Sequence, residues 1–304
     1  MYSRKKMMCL LFLVVMCLSG CRESASKEQV KVIQNTPLQA TAKPYDKKDL
    51  FSEKHGSADK LSGNIVVVSI FVNDIATKWE NTDDMDCALK YLGIAAEWLE
   101  AEASKYGSNA KFLYDWRENK DFFSFAQMDA DLMNEDDERD IVLWEYIANN
   151  VDFEKLVNKY QADNIVFMVF LNTPFSQLAT SNTRSYYEGM KYPYEMCFIY
   201  NMVNGEQQCP AVYAHEILHT FGAPDLYSVD DNGDNYGVTK KFTKYLAREK
   251  SNDIMFTTYD AETDEAYYDW ISNEFSELDA YYVGLTDRSI LAEKWGLDKS
   301  QHSS

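Results

Sequence analysis

Cys209-Pro210-Ala211-Val212-Tyr213-Ala214-His215-Glu216-Ile217-Leu218-His219-Thr220-Phe221-Gly222-Ala223-Pro224-Asp225 is the most informative stretch of this 304-residue chain. Proline is tolerated in the first helical turn and glycine suits a helix end, so Pro210 and Gly222 predict one continuous helix between them. A spacing of four sets the His215 and His219 rings one above the other on a single face, where two imidazoles can grip one tetrahedral zinc ion. Glu216, one residue on, projects beside them, placed to take a proton from a water on the metal rather than to ligate it. Gly222 lets the chain turn sharply after His219, and that turn carries Asp225 back toward the metal.

Outward from this helix, strand and helix patterns alternate. Residues 65–72, Ile-Val-Val-Val-Ser-Ile-Phe-Val, are a β-branched and aromatic run of buried-strand length. Thr82, with Asp83, Asp84 and Asp86 in the first turn, predicts a helix start; Met85, Leu89, Leu92, Ala96 and Leu99 share one face, and Gly107 ends the helix. Residues 111–116 read as a second strand, 129–160 as acidic and mostly helical with a solvated charged face, and 164–171 as another buried strand. A polar loop through Ser185 follows, then a short, partly exposed strand within 190–200. Neither internal repeats nor low-complexity tracts interrupt the pattern, which predicts an α+β domain with α/β layering rather than a bundle.

The N-terminus has its own logic. Arg4, Lys5 and Lys6 precede an apolar run over 7–18 that is short for a membrane span and has the layout of an export signal. Leu18-Ser19-Gly20-Cys21 resembles the bacterial lipoprotein box, which implies acylation of Cys21 and a domain tethered outside the cytoplasm; an ordinary cleaved signal or an uncleaved anchor is the alternative. Residues 21–61 read as a polar spacer, or alternatively a short pro-segment, and 62–304 as the globular domain. Removing residues 1–20, with three cations and no acid, takes the net charge from −19 to −22. An apolar fraction of 46% supports a real core and excludes wholesale disorder. The acidic excess argues against nucleic acid or an anionic lipid face as main partner, because phosphate neutralisation needs clustered Lys and Arg. Cys87, Cys197 and Cys209 allow one disulfide in three alternative pairings, or none, with Cys87 reading as a small buried apolar residue.

The spelling H-E-x-x-H-x-x-G-x-x-D, given by His215, Glu216, His219, Gly222 and Asp225, resembles the extended motif of the metzincin clan of zinc peptidases in its aspartate form. Gly222, Pro224, Asp225 and Tyr227 are most similar to the G-x-P-D-x-Tyr form of the immune inhibitor A family of secreted bacterial metallopeptidases. The likeness covers mainly residues 210–227. It implies a zincin-like fold, with a mixed, mostly parallel sheet, a zinc-binding active-site helix, His215, His219 and Asp225 as ligands of one Zn2+, and Glu216 as general base. It also implies a tight methionine turn, which Asn252-Asp253-Ile254-Met255 fits, with Met255 as an apolar floor beneath the histidines. Several metzincins carry a tyrosine two residues after that methionine; here position 257 is Thr and the nearest tyrosine is Tyr259, which becomes the candidate ligand or oxyanion donor.

Histidine scarcity bears on the third ligand. The chain has four histidines, and His55 and His302 lie in the spacer and near the C-terminus, so a third protein ligand should be a carboxylate. Asp225 is preferred for its place after the glycine turn. Glu274 is the rival, because residues 273–279 loosely resemble the second-helix glutamate motif of gluzincins, although Ser272 capping an ordinary helix that ends at Gly284 explains the segment without metal. Asp230-Asp231-Asn232-Gly233-Asp234-Asn235 has a superficial Ca2+-loop look, but glycine and glutamate are missing where Asn235 and Lys241 stand, and a polar turn on Asn232-Gly233 reads better.

No P-loop, dinucleotide fingerprint or G-x-S-x-G elbow supports another enzyme class. The expectation is a monomeric, lipid-anchored zinc endopeptidase acting on protein or peptide substrates, with the strand around 194–200 forming the rim of the cleft and pairing with extended substrate. The alternatives are a non-catalytic lipid-anchored zinc- or peptide-binding protein, and a zinc hydrolase acting on a cell-wall amide bond.

Overall fold

The computed structural model describes residues 58, 60–133, 137–173, 180–185, 194–227 and 236–299. The leader, Cys21, nearly all of the spacer, His55, His302 and the 230–235 cluster lie outside the described residues. In chain order the elements are β1 (Asn64–Asn73), α1 (Thr82–Lys105), β2 (Lys111–Leu113), β3 (Phe123–Gln127), α2 (Asp137–Asn150), α3 (Phe153–Tyr160), β4 (Asn164–Leu171), β5 (Asn182–Arg184), β6 (Met196–Tyr200), β7 (Met202–Val203), β8 (Glu206–Gln207), α4 (Pro210–His219), α5 (Lys240–Arg248), α6 (Glu277–Tyr282) and α7 (Ile290–Trp295).

The two longest apolar runs become the two central strands. β1 and β4 pair in parallel from Ile65 against Asn164 to Val72 against Leu171. β6 adds in parallel beside β4, and β5 pairs antiparallel with β6 on that side. On the other side, β2 and β3 lie along successive stretches of β1, both parallel to it. The protein is therefore mixed α and β around a mostly parallel sheet of order β2-β1-β4-β6-β5, with β3 also on β1. Such a sheet buries both faces, which is why its strands read as continuous apolar runs rather than alternating ones.

Alternate residues serve opposite layers. Ile65, Val67 and Phe71 join Val166, Met168 and Phe170 in a core completed by α1, α4 and the C-terminal helices. Val66, Val68, Ile70 and Val72 join Ile165, Phe167, Val169 and Leu171 in a second core under α2 and α3. The expected face of α1 is buried throughout and the helix starts at Thr82 as expected, with Asn81 as its N-cap, whose side chain accepts from the Asp84 amide at 2.9 Å.

Several expectations are corrected. The 111–116 strand is only three residues long, and β3 and β5 were not foreseen. The acidic segment is mostly helical, as expected, and forms two helices, the second capped by Asp152, which accepts from the Lys155 amide. The strand expected within 190–200 is β6, whose five residues are all buried, because it lies between β4 and β5 with a core on each face, so it cannot be the edge that receives substrate. Ser276, not Ser272, caps α6 in a capping box with Asp279. Cys87, Cys197 and Cys209 are all buried free thiols, so none of the three pairings forms. Among the described residues no helix is long and apolar enough to cross a membrane.

Phe170 is fully buried and stacks on Phe71 with centroids 4.6 Å apart at 17°. Phe170→Ala is expected to lower unfolding free energy by about 3–5 kcal/mol, measured by denaturant titration; a loss below about 1 kcal/mol would contradict its place at the centre of the core.

Candidate metal centre

α4 starts at Pro210, following Cys209 in extended conformation, and buries Ala211, Ala214, Ile217 and Leu218 in the first core. The same helix holds His215 and Glu216 almost wholly buried. After His219 the Gly222 amide returns to the His219 carbonyl at 2.9 Å and the Ala223 amide to the Leu218 carbonyl at 3.2 Å, closing the helix end. Gly222 sits at φ +90°, a left-handed conformation that strains any residue with a Cβ. The chain then doubles back and delivers Asp225 to the histidines.

Three ligand-type atoms converge. His215 Nε2 lies 3.1 Å from His219 Nε2 and 3.1 Å from Asp225 Oδ1, and His219 Nε2 lies 3.3 Å from that oxygen. The other ring nitrogens are engaged: His215 Nδ1 donates to the Ile254 carbonyl at 2.9 Å, and His219 Nδ1 to the Ala223 carbonyl at 2.7 Å. Carbonyl oxygens only accept, so each Nδ1 carries its proton and a neutral ring presents its Nε2 lone pair to the common centre. His215, His219 and Asp225 together can hold a metal ion.

Burial pulls the His219 pKa down, but the Asp225 hydrogen bond and charge, helped by Glu216, raise it to about 9. Burial raises Asp225, and the two histidines more than reverse that, leaving its carboxyl well below the usual range. Glu216 is raised by burial against the opposing pull of His215, His219 and Thr183. The Thr183 hydroxyl, on edge strand β5, lies 2.8 Å from Glu216 Oε2 and 3.0 Å from the Glu216 carbonyl, so it can donate to either. The Cys197 thiol also donates to that carbonyl, at 3.3 Å. A cleft of about 350 Å³ opens over the group, lined by Asn182, Thr183, Glu216, His219, Asp225 and Tyr227 among others.

Residues 253–257 form the wall behind His215. The Phe256 and Thr257 amides turn back to the Asp253 carbonyl, and fully buried Met255 donates its amide to Asp253 Oδ1 at 2.8 Å. The Met255 carbonyl accepts the Leu226 amide at 2.9 Å, tying this turn to the ligand loop. Beneath it Asp253 and Asp279 form a buried carboxyl pair: burial raises Asp253 to about 6, and burial plus the Asp253 charge raise Asp279 well above the usual range.

Two sequence candidates stand elsewhere. Tyr259 directs its hydroxyl to Glu206 Oε2 at 3.0 Å, in the β7–β8 hairpin, and does not line the cleft. The tyrosine at the cleft is Tyr227, whose ring centroid is 6.0 Å from that of His215 and whose hydroxyl engages Asp225. Glu274 is exposed and contributes its backbone instead, bridging the turn through Glu274 N to Asn252 O at 2.8 Å and Ile254 N to Glu274 O at 3.0 Å. Thr183 carried no signal, because a three-residue edge strand has no periodicity to read.

In the metal-free protein at neutral pH, His219 holds a proton that a metal ion must displace. Metal uptake at pH 7 is expected to release about one proton per ion, declining toward none above pH 9. Calorimetric titration in buffers of different ionisation enthalpy measures this, and no release at pH 7 would contradict the His219–Asp225 arrangement. A scan of the chain against protein-family models finds no match, and a search of the curated proteins finds none either, so the chemistry of the site rests on its own geometry.

Proposed function

We propose that the protein is a zinc-dependent endopeptidase of metzincin-like architecture, similar in its site to the immune inhibitor A family, exported and tethered by an acylated Cys21. The observation that carries this reading is the convergence of three ligand-type side chains, His215, His219 and Asp225, beside a buried glutamate at the floor of an open cleft. Zinc bonds of about 2.0–2.2 Å in a tetrahedron put neighbouring ligand atoms roughly 3.3–3.6 Å apart. The separations of 3.1–3.3 Å fit that set, with slight expansion around the ion. Three protein ligands leave a fourth position open, the mark of a catalytic rather than a structural site.

Zinc bound there would supply a Lewis acid that polarises a carbonyl and acidifies water. The chain's own groups do the rest. Glu216, raised in pKa by burial, accepts the proton of the attacking water and passes it to the leaving amine. Thr183 fixes its Oε2, so that Oε1 is the oxygen that exchanges the proton. Tyr227, partly exposed at the cleft, offers its hydroxyl to the developing oxyanion, the role expected of Tyr259. Buried Met255, next to the Ile254 carbonyl that holds His215, would form the apolar floor there. Extended substrate would add to β5 rather than to β6, because β5 is the outermost strand on that side among the described residues and carries Thr183. The same constellation serves a cell-wall amide as well as a protein backbone, and a peptide library tested beside cell-wall fragments separates the two.

Glu216→Gln is expected to retain the ion, one per chain by elemental analysis, while kcat/KM on peptide substrates falls by about 10²–10⁴-fold. Asp225→Ala should lose the ion itself; an Asp225→Ala protein with full zinc content would overturn the ligand assignment. Tyr227→Phe should lower kcat by about 10²-fold with KM nearly unchanged. An equal effect from Tyr259→Phe, with Tyr227→Phe silent, would restore the sequence expectation.

A further inference from the structure

The acidity of the chain is not uniform. α5 and α7 together expose Lys241, Lys244, Arg248 and Lys294 around a shallow, open groove of about 780 Å³. The groove floor is aromatic: Tyr245 and Trp295 pack with centroids 5.1 Å apart. The cations stand over those rings, Lys241 5.6 Å from Trp295, and Lys294 and Arg248 5.3 and 5.6 Å from Tyr245. Phe242 and Leu246 are buried beneath, so α5 is anchored by its apolar side.

Like charges gathered on one face repel unless an anion lies opposite. Among the described residues Lys241, Lys244 and Lys294 make no ion pair. The acids on the same helices are already engaged, Glu249 with Arg248 at 2.9 Å and Glu293 with Arg288 at 2.6 Å. In a chain of net charge −19, this is the clustering that phosphate recognition requires and that the overall composition obscured.

We propose that this face docks the domain on the anionic headgroups of a lipid bilayer. Half-buried Tyr and Trp ringed by Lys and Arg match the lipid–water interface, where amphipathic rings sit at headgroup depth and long cationic side chains reach phosphates. The groove is open, so it does not enclose one small anion. The acidic remainder of the surface disfavours a long nucleic acid, whereas a bilayer meets only the face turned toward it, within a Debye length of about 8 Å at physiological salt. The inference takes the nearness of a bilayer from the Cys21 anchoring proposed above, but charge and aromatic placement stand without it. Thr243 on α5 donates to the Leu226 carbonyl at 3.1 Å, beside Asp225, so docking also fixes the orientation of the cleft above the membrane.

The test uses the full chain carrying Cys21→Ala, so that no acyl group contributes, sedimented with phosphatidylcholine vesicles with and without phosphatidylglycerol. Binding is expected only with phosphatidylglycerol, weakening as salt rises and falling about fivefold for each cation removed. Lys241→Glu/Lys244→Glu/Lys294→Glu should abolish it with the circular dichroism spectrum unchanged, and the matching Gln substitutions should weaken it less. Undiminished binding by the charge-reversed chain overturns the proposal. So does competition by millimolar inorganic phosphate, which would assign a small-anion site, or a solution dimer that the substitutions dissolve, which would assign the face to a second copy. If Cys21 is not acylated, the native chain alone fails to partition into phosphatidylcholine, while the phosphatidylglycerol binding of Cys21→Ala persists and still supports the docking face.

Discussion

Two imidazole nitrogens held 3.1 Å apart with both lone pairs inward repel each other, and a carboxylate oxygen at 3.1 and 3.3 Å adds negative charge to the same point. Only a cation at the centre, whether metal ion or proton, makes that arrangement favourable. The Ile254 and Ala223 carbonyls enforce it by accepting from the outer ring nitrogens, which denies each neutral ring the tautomer that would relieve the repulsion.

The fold supplies what this constraint demands. α4 is clamped between α1 and the sheet, so the histidines cannot swing apart. Edge strand β5 brings Thr183 to Glu216 from one side, and the 253–257 turn brings Ile254 to His215 from the other. That turn rests on the Asp253–Asp279 pair, two carboxyls too close and too buried to ionise together. Asp279 also caps α6 by accepting from the Ser276 amide, so a single side chain joins α6 to the wall of the site.

Legibility followed the length of each signal. β1, β4, α1 and α4 were readable because each carries enough apolar or capping residues to specify itself. β3 and β5 were not, because short strands owe their existence to a neighbour's hydrogen bonds rather than to their own composition. The β6 segment misled in another way: its aromatic alternation looks half-exposed, but a strand between two others is covered on both faces whatever its pattern. At the site, the contiguous 210–227 stretch was enough to gather His215, Glu216, His219 and Asp225. Tyr259 points away from the cleft because a two-residue offset in a turn redirects a side chain altogether, here toward Glu206. Tyr227 was already in the quoted motif, and only three-dimensional placement revealed it as the tyrosine facing the cleft. Charge gave the reverse lesson, since a net value conceals how cations distribute over a surface.

The ligand set spans little of the chain. His215 and Asp225 are ten residues apart, whereas the Ile254 carbonyl that orients His215 is 39 residues away and Thr183 is 33 from Glu216. Short-range contacts close fast and at low entropic cost, and long-range ones wait for the sheet and the C-terminal segment to assemble. An ion can therefore be captured by the 215–225 stretch early in folding, as a nucleus that stitches helix to loop, while the glutamate and its partners reach working order only when the chain is nearly complete. A nascent or partly unfolded molecule would thus be able to hold a metal ion before it carries a finished cleft.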